Sequence, residues 1–229
     1  MILISQQAEH RFVGVKCGIM DQFASMFGQK DSALLLDCRS IESKTFKIEL
    51  HEYQILLINT NVKHSLADSA YNQRRAVCEK VAEYLGIRAL RDATTEQLKQ
   101  VKQSLTEEEY QMALYVIEEN QRTLAAGQAM LANDISVLGQ LLYASHRGLQ
   151  HQYKVSCAEL DYLVDLAEKS DAVIGSRMMG GGFGGCTINL IKQDQLTHFT
   201  DMISKEFQNE FGRPCSIYPV KLGEGTRVL

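Results

Sequence analysis

The chain has 229 residues, 45% hydrophobic and 23% charged, an ordinary globular composition with length for one large domain or two small ones. Twenty-four Lys+Arg against 28 Asp+Glu give a formal charge of −4, and without a basic stripe neither nucleic acid nor an anionic membrane is an expected partner. No apolar run nears the ~20 residues that span a bilayer, and the first residues carry no basic n-region of a signal peptide.

Leu3 to Phe12 read as the last turns of an amphipathic helix with no N-cap before it, which predicts that further sequence once preceded it. A loop over 13–18 leads to a short helix over Ile19–Phe27. Three strand-like runs follow, at Ala33–Leu36, Thr45–Leu50 and Ile55–Asn59. The middle one alternates, with Phe46, Ile48 and Leu50 on one face. From Ala70 to Ser170 the pattern is helical. Ala76, Val77, Val81, Tyr84 and Leu85 make one stripe. Thr106-Glu107-Glu108-Glu109 reads as a helix start with acidic first-turn residues, and that helix runs to about Ala132. Asn133-Asp134 breaks it, a second helix reaches about Tyr153, and a third begins at Ser156 or Cys157 with Leu160, Leu163, Val164 and Ala167 inward. Strands at Val173-Ile174, Thr187–Ile191 and Ser216–Val220, with a helix over Gln195–Phe211, complete the chain. The order predicts an α+β layer, helices covering one face of a largely antiparallel sheet.

Six scattered cysteines without a C-x-x-C pair predict reduced thiols in a cytoplasmic protein. The histidines form no zinc cluster, since His146 and His151 stand about 140° apart around a helix.

Three stretches stand out chemically. Gly180-Gly181-Gly182-Phe183-Gly184-Gly185 places five glycines in six positions, at a conformational cost that something must offset. It satisfies G-x-G-x-x-G, but the dinucleotide fingerprint opens a helix and Cys186–Ile191 reads as a strand. Its bare backbone therefore approaches phosphate oxygens, packs on another glycine loop, or is crowded against a helix. In Gly14-Val15-Lys16-Cys17-Gly18-Ile19-Met20-Asp21-Gln22-Phe23, Asp21 is either a carboxylate at a pocket mouth, able to take a proton from a hydroxyl, or a first-turn residue favouring the helix dipole. In Asp68-Ser69-Ala70-Tyr71-Asn72-Gln73-Arg74-Arg75, Tyr71 is a ligand hydroxyl or a packed ring reaching solvent, while Asp68 and Ser69 read as N-caps.

Together, Glu9, Phe12-Val13-Gly14, Cys17-Gly18-Ile19-Met20-Asp21-Gln22 and the 180–186 loop resemble the galactokinase branch of the GHMP family of small-molecule kinases. The resemblance extends through Asn120-Gln121-Arg122-Thr123, Ser145-His146 and Tyr153–Asp161, from about residue 6 to the C-terminus. It implies a GHMP-kinase-like fold: a remnant of the N-terminal domain over 1–60 and the helix-rich C-terminal α+β domain over 61–229. It implies transfer of the ATP γ-phosphoryl group to the anomeric hydroxyl of galactose, with Asp21 as catalytic base or orienting group. Tyr71 matches a tyrosine whose hydroxyl contacts the sugar. Glu9 matches the stretch carrying a magnesium carboxylate, or is a solvated glutamate on a helix face. Gly180, Gly181, Gly182, Gly184 and Gly185 match the motif that packs beside the phosphate-binding loop.

Lys16 stands where a proline is common and Met179 where a threonine is usual. The family's Gly-Glu-His-Thr-Asp sugar motif, catalytic arginine and Ser-rich phosphate loop belong upstream and do not occur in these residues. The resemblance therefore implies a C-terminal portion, inactive by itself, whose partner is the missing N-terminal segment of its own chain. A non-catalytic sugar sensor and a GHMP kinase for a related sugar are the alternatives.

Overall fold

A computed structural model describes residues 1–14, 16–62 and 67–226, and the side chains of all of these except 67–71. Helix α1 (Ile2–Ala8) continues as one wide π-type turn over Glu9–Val13, closed by the Gly14 N–H on the Glu9 carbonyl at 3.0 Å. Helix α2 spans Met20–Phe27. Strands β1 (Ser32–Asp37) and β2 (Glu42–Lys47) form an antiparallel ribbon, and β3 spans Tyr53–Asn59. The helical middle comprises α3 (Ala67–Tyr84), α4 (Thr95–Gln100), α5 (Glu107–Leu131), α6 (Ile135–His151) and α7 (Ala158–Glu168). Then come β4 (Val173–Met178), β5 (Cys186–Lys192), α8 (Leu196–Phe211) and β6 (Ser216–Val220).

Side-chain caps set the helix boundaries where the sequence predicts them. The Glu109 N–H donates to Thr106 Oγ1 at 3.2 Å and the Thr106 N–H to Glu109 Oε2 at 3.0 Å, a reciprocal cap at the start of α5. Asn133 turns the chain with a φ of 53°, and Asp134 accepts the Val137 N–H at 3.0 Å to begin α6.

The four-stranded sheet has the order β4-β5-β3-β6, every pair antiparallel. Leu56 and Ile58 of β3 and Ile191 of β5 meet Leu163 and Ala167 of α7 and Phe199, Ile203 and Phe207 of α8. This is the predicted layer of helices on one sheet face. A second core joins Val81 and Ala82 of α3 to Leu98 of α4 and Tyr110, Ala113 and Ile117 of α5. Tyr115, Leu149, Val155, Leu160 and Met178 connect the helices to β4.

Four details differ from the sequence reading. The second strand runs over Glu42–Lys47 rather than Thr45–Leu50, because Asp37 Oδ1 accepts the Arg39 and Ser40 N–H groups and so fixes a tight turn that pairs Asp37 with Glu42. Helix α1 buries no side chain, and Leu3, Ile4 and Phe12 are exposed. Ala76 and Tyr84 leave the α3 stripe for solvent, the Tyr84 ring under the Lys80 ammonium. A short helix, α4, lies in the Gln-rich stretch, started by a Thr94–Gln97 capping box.

Two arginine forks fasten the ribbon to the turn before α4. Arg39 grips Asp92 at 2.9 and 2.6 Å, and Arg91 grips Asp37 at 2.7 and 2.7 Å. The Arg91 guanidinium holds the Asp37 carboxyl well below the usual range, yet both forks are solvent-exposed and contribute more to register than to stability.

Helix α6 crosses β4 at paired glycines. A Cβ at Gly175 would come within 2.7 Å of the Gly139 carbonyl oxygen, so the backbones touch. Gly175→Ala is expected to destabilise the fold by about 1–3 kcal/mol through overpacking. Urea unfolding checks this; an unchanged midpoint would mean that α6 does not seat on β4 as described.

Candidate functional site

Asp21 lies in the first turn of α2, exposed, with no ion pair or hydrogen bond among the described residues. Its helix is launched by a loop that polar contacts hold from two sides. From α1 and the π-type turn, Gln6 Nε2 donates to the Cys17 carbonyl at 3.3 Å, and His10 Nε2 lies 2.8 Å from the same oxygen. From α3, Asn72 Oδ1 accepts the Lys16 N–H at 3.4 Å and Arg75 Nη1 donates to the Lys16 carbonyl at 3.4 Å. The far end of α2 is held by the chain's last described residues. The Thr226 N–H donates to the Ser25 carbonyl at 2.6 Å and the Gly225 N–H to the Gly28 carbonyl at 2.7 Å, satisfying acceptors at the helix end. Gln22 Oε1 is buried without a donor among the described residues.

The Tyr71 backbone is in the second turn of α3, adjacent to the Asn72 that holds Lys16. Its side chain, like those of Asp68 and Ser69, lies outside the described residues. One residue past Asn72 and Gln73, Arg74 is 8% exposed and faces carbonyls: Nε donates to Tyr153 O at 2.8 Å and Nη2 to Lys154 O at 3.0 Å. A cation suits these carbonyls just beyond the C-terminal end of α6.

The strap so held passes under the glycine loop. The Phe183 N–H donates to the Val155 carbonyl at 2.7 Å, and a Cβ on Gly182, whose φ is +89°, would overlap that oxygen. Gly184 lies less tightly against Val62, with a hypothetical Cβ 2.9 Å from the valine Cβ. Buried Thr60 donates to the Gly185 carbonyl from both N–H and Oγ1, at 2.9 and 3.0 Å. Gly180 and Gly181, by contrast, are exposed and have open space where a side chain would be. The loop joins antiparallel strands β4 and β5, with Met179 N–H on the Cys186 carbonyl at 2.9 Å closing its base. It opens no helix. Gly182 and Gly184 are crowded, though by Val155 and Val62 rather than by a helix, while Gly180 and Gly181 offer bare backbone.

Glu9 begins the π-type turn, half-buried. Among the described residues no three His, Cys, Asp or Glu side chains gather as a metal cage. A lone carboxylate nevertheless fits magnesium chemistry, because Mg²⁺ is bound by one or two carboxylates together with substrate phosphates.

Sequence reasoning gave no role to Arg74, Thr60, His146 or Asp161. His146 is fully buried; Asp161 faces it and takes the Ser156 hydroxyl. A separate cavity of about 580 Å³ between β1, β2 and α5 is lined by Cys38, Arg91, Asn120 and Leu124 among others, and by no predicted site residue.

Residues 127–209 match the family model described as GHMP kinases C terminal. The chain is 40% identical to the galactokinase of Clostridium beijerinckii over 234 residues, covering 100% of this chain and 60% of that protein. It is 42% identical to the Homo sapiens galactokinase over 226 residues, covering 99% of this chain and 57% of the other. Its structure matches that of Lactococcus lactis galactokinase complexed with galactose at a TM-score of 0.94 and 33% identity, over 100% of this chain and 60% of that one. A likeness to L. major mevalonate kinase, at a TM-score of 0.52 and 19% identity, extends to the fold alone. The chain thus spans about 60% of the length of the galactokinases it matches. The halves of the glycine loop should respond differently to a methyl group. Gly182→Ala is expected to cost about 1–3 kcal/mol, and Gly181→Ala to stay within about 0.5 kcal/mol of the parent. Chemical denaturation compares the two, and equal losses would contradict the division of the loop.

Proposed function

We propose that this chain forms the C-terminal portion of an ATP-dependent galactose kinase. The reading is carried by the whole-length likeness to galactokinases, including a galactose complex of one of them. It is supported by the ties among the Asp21 loop, the start of α3 and the glycine loop.

In this reading the sugar's anomeric oxygen attacks the γ-phosphorus of ATP. A new O–P bond forms, the bond from γ-phosphorus to the β,γ-bridging oxygen breaks, and ADP leaves. The proton of the attacking hydroxyl passes to the Asp21 carboxylate, which is free of competing partners among the described residues. The resemblance assigns a sugar contact to Tyr71, whose side chain lies outside the described residues. Gly180 and Gly181 line the phosphate side, where no side chain keeps the backbone from a ligand. Glu9 supplies a hard oxygen for Mg²⁺, which screens phosphate charge when bound.

Strand β3 ends at Asn59 yet pairs with β5 and β6. We therefore draw the start of the C-terminal domain at the turn before Tyr53 rather than at residue 61. A cytoplasmic setting accords with six unbonded cysteines. Among the described residues, no helix is long and apolar enough to cross a membrane.

A chimera tests the proposal: the part of the C. beijerinckii galactokinase that has no counterpart here, joined to this chain. It should form galactose 1-phosphate from galactose and ATP, whereas the 229 residues alone should form negligible product. Asp21→Asn should lower kcat of the chimera by about 10²–10⁴. A folded chimera without turnover would overturn the kinase reading; full activity in Asp21→Asn would remove Asp21 as the base.

A further inference from the structure

We infer that His146 is a positioning residue for the glycine loop, acting through the Met178 peptide at the loop's entrance and the Val155 strap beneath it. Met178 ends β4, an edge strand of its sheet, and is fully buried. A buried edge N–H needs an acceptor that the sheet does not provide. Helix α6 provides it: the Met178 N–H donates to His146 Nδ1 at 3.2 Å. The imidazole is 0% exposed, so no water replaces it.

This bond fixes the ring's chemistry. Nδ1 must present its lone pair, so the ring proton is on Nε2 and the imidazole is neutral. Nε2 lies 3.3 Å from Asp161 Oδ1, but too poorly aligned for a hydrogen bond. The carboxylate thus favours the Nε2–H form chiefly by its charge. Asp161 Oδ1 also accepts the Ser156 hydroxyl, and Ser156 follows Val155, whose carbonyl takes the Phe183 N–H at 2.7 Å. One imidazole–carboxylate pair therefore reaches both the entrance of the loop and the strap under its middle. The other side of Met178 is held as well. Arg177 Nε donates to the Met178 carbonyl at 2.9 Å, and the next N–H, that of Met179, is on Cys186. Exposed Gly180 and Gly181 are launched from a residue whose amide and carbonyl are both held.

The loop's importance to a ligand rests on the kinase reading; its ordering by His146 does not. The test therefore reads amides of the 229-residue chain rather than turnover. Hydrogen exchange by NMR would be compared among the parent, His146→Leu, His146→Gln and His146→Asn. Asparagine can place its carbonyl oxygen near the Nδ1 position, whereas glutamine reaches toward Nε2. Exchange at Met178 and Phe183 should rise about tenfold or more in the Leu and Gln variants. Asparagine should restore it to near the parent rate, with Leu56 and Ile58 unchanged throughout. The parent ring should show a lone-pair nitrogen at Nδ1 and a protonated Nε2. Unchanged loop exchange in a folded His146→Leu would overturn the inference. So would failure of Asn to restore protection, or a proton on Nδ1. If His146→Leu does not fold, equal loop protection in the Asn and Gln variants overturns it, and greater protection in Asn supports it.

Discussion

Gly182 holds a φ of +89° against the Val155 carbonyl oxygen, in space that a Cβ would occupy. That backbone-on-backbone contact lets the neighbouring Phe183 N–H reach the same carbonyl at 2.7 Å. Through it the β4–β5 hairpin is seated on the strap that follows α6. Because Arg74 of α3 grips the two carbonyls just before Val155, the same strap fixes the start of α3 relative to the glycine loop. Asn72 and Arg75 then carry the alignment to Lys16 and the loop that launches Asp21. Three segments far apart in sequence are therefore connected by one backbone pair and by Arg74, Asn72 and Arg75 side chains bonded to backbone groups of fixed direction.

Much of this was legible in the sequence where the signal is local. The Thr106 cap, the Asn133-Asp134 break and the inward face at Leu160, Leu163, Val164 and Ala167 follow from residue type and helical spacing, and the structure places them as expected. The glycine loop was legible as an anomaly, and the strand after it excluded a dinucleotide fold. Its division into a crowded and an open half was not, because the crowding comes from Val155 and Val62, distant in sequence. The roles of Arg74 and His146 were hidden for the same reason: each acts on a backbone group brought to it by the fold. The second strand was misplaced because the Asp37 turn, a side-chain-to-backbone device, outweighs the alternation of Phe46, Ile48 and Leu50. Those three side chains are still buried or half-buried.

Arg74, Thr60 and the tail at Gly225 and Thr226 touch no proposed substrate. They hold the Asp21 helix, the start of α3 and the glycine loop in place. Under the proposed function, that division of labour suits phosphoryl transfer, in which positioning and charge stabilisation do most of the catalytic work. The exposed Asp21 and the exposed backbone of Gly180 and Gly181 remain free to meet ligands, while their supports are buried or bonded.

The most direct measurement is a crystal structure of the chimeric kinase with galactose and a non-hydrolysable ATP analogue. The account predicts the Asp21 carboxylate within about 2.6–3.2 Å of the anomeric hydroxyl and the triphosphate beside the backbone of Gly180 and Gly181. Galactose bound away from Asp21, or phosphates remote from that loop, would contradict it.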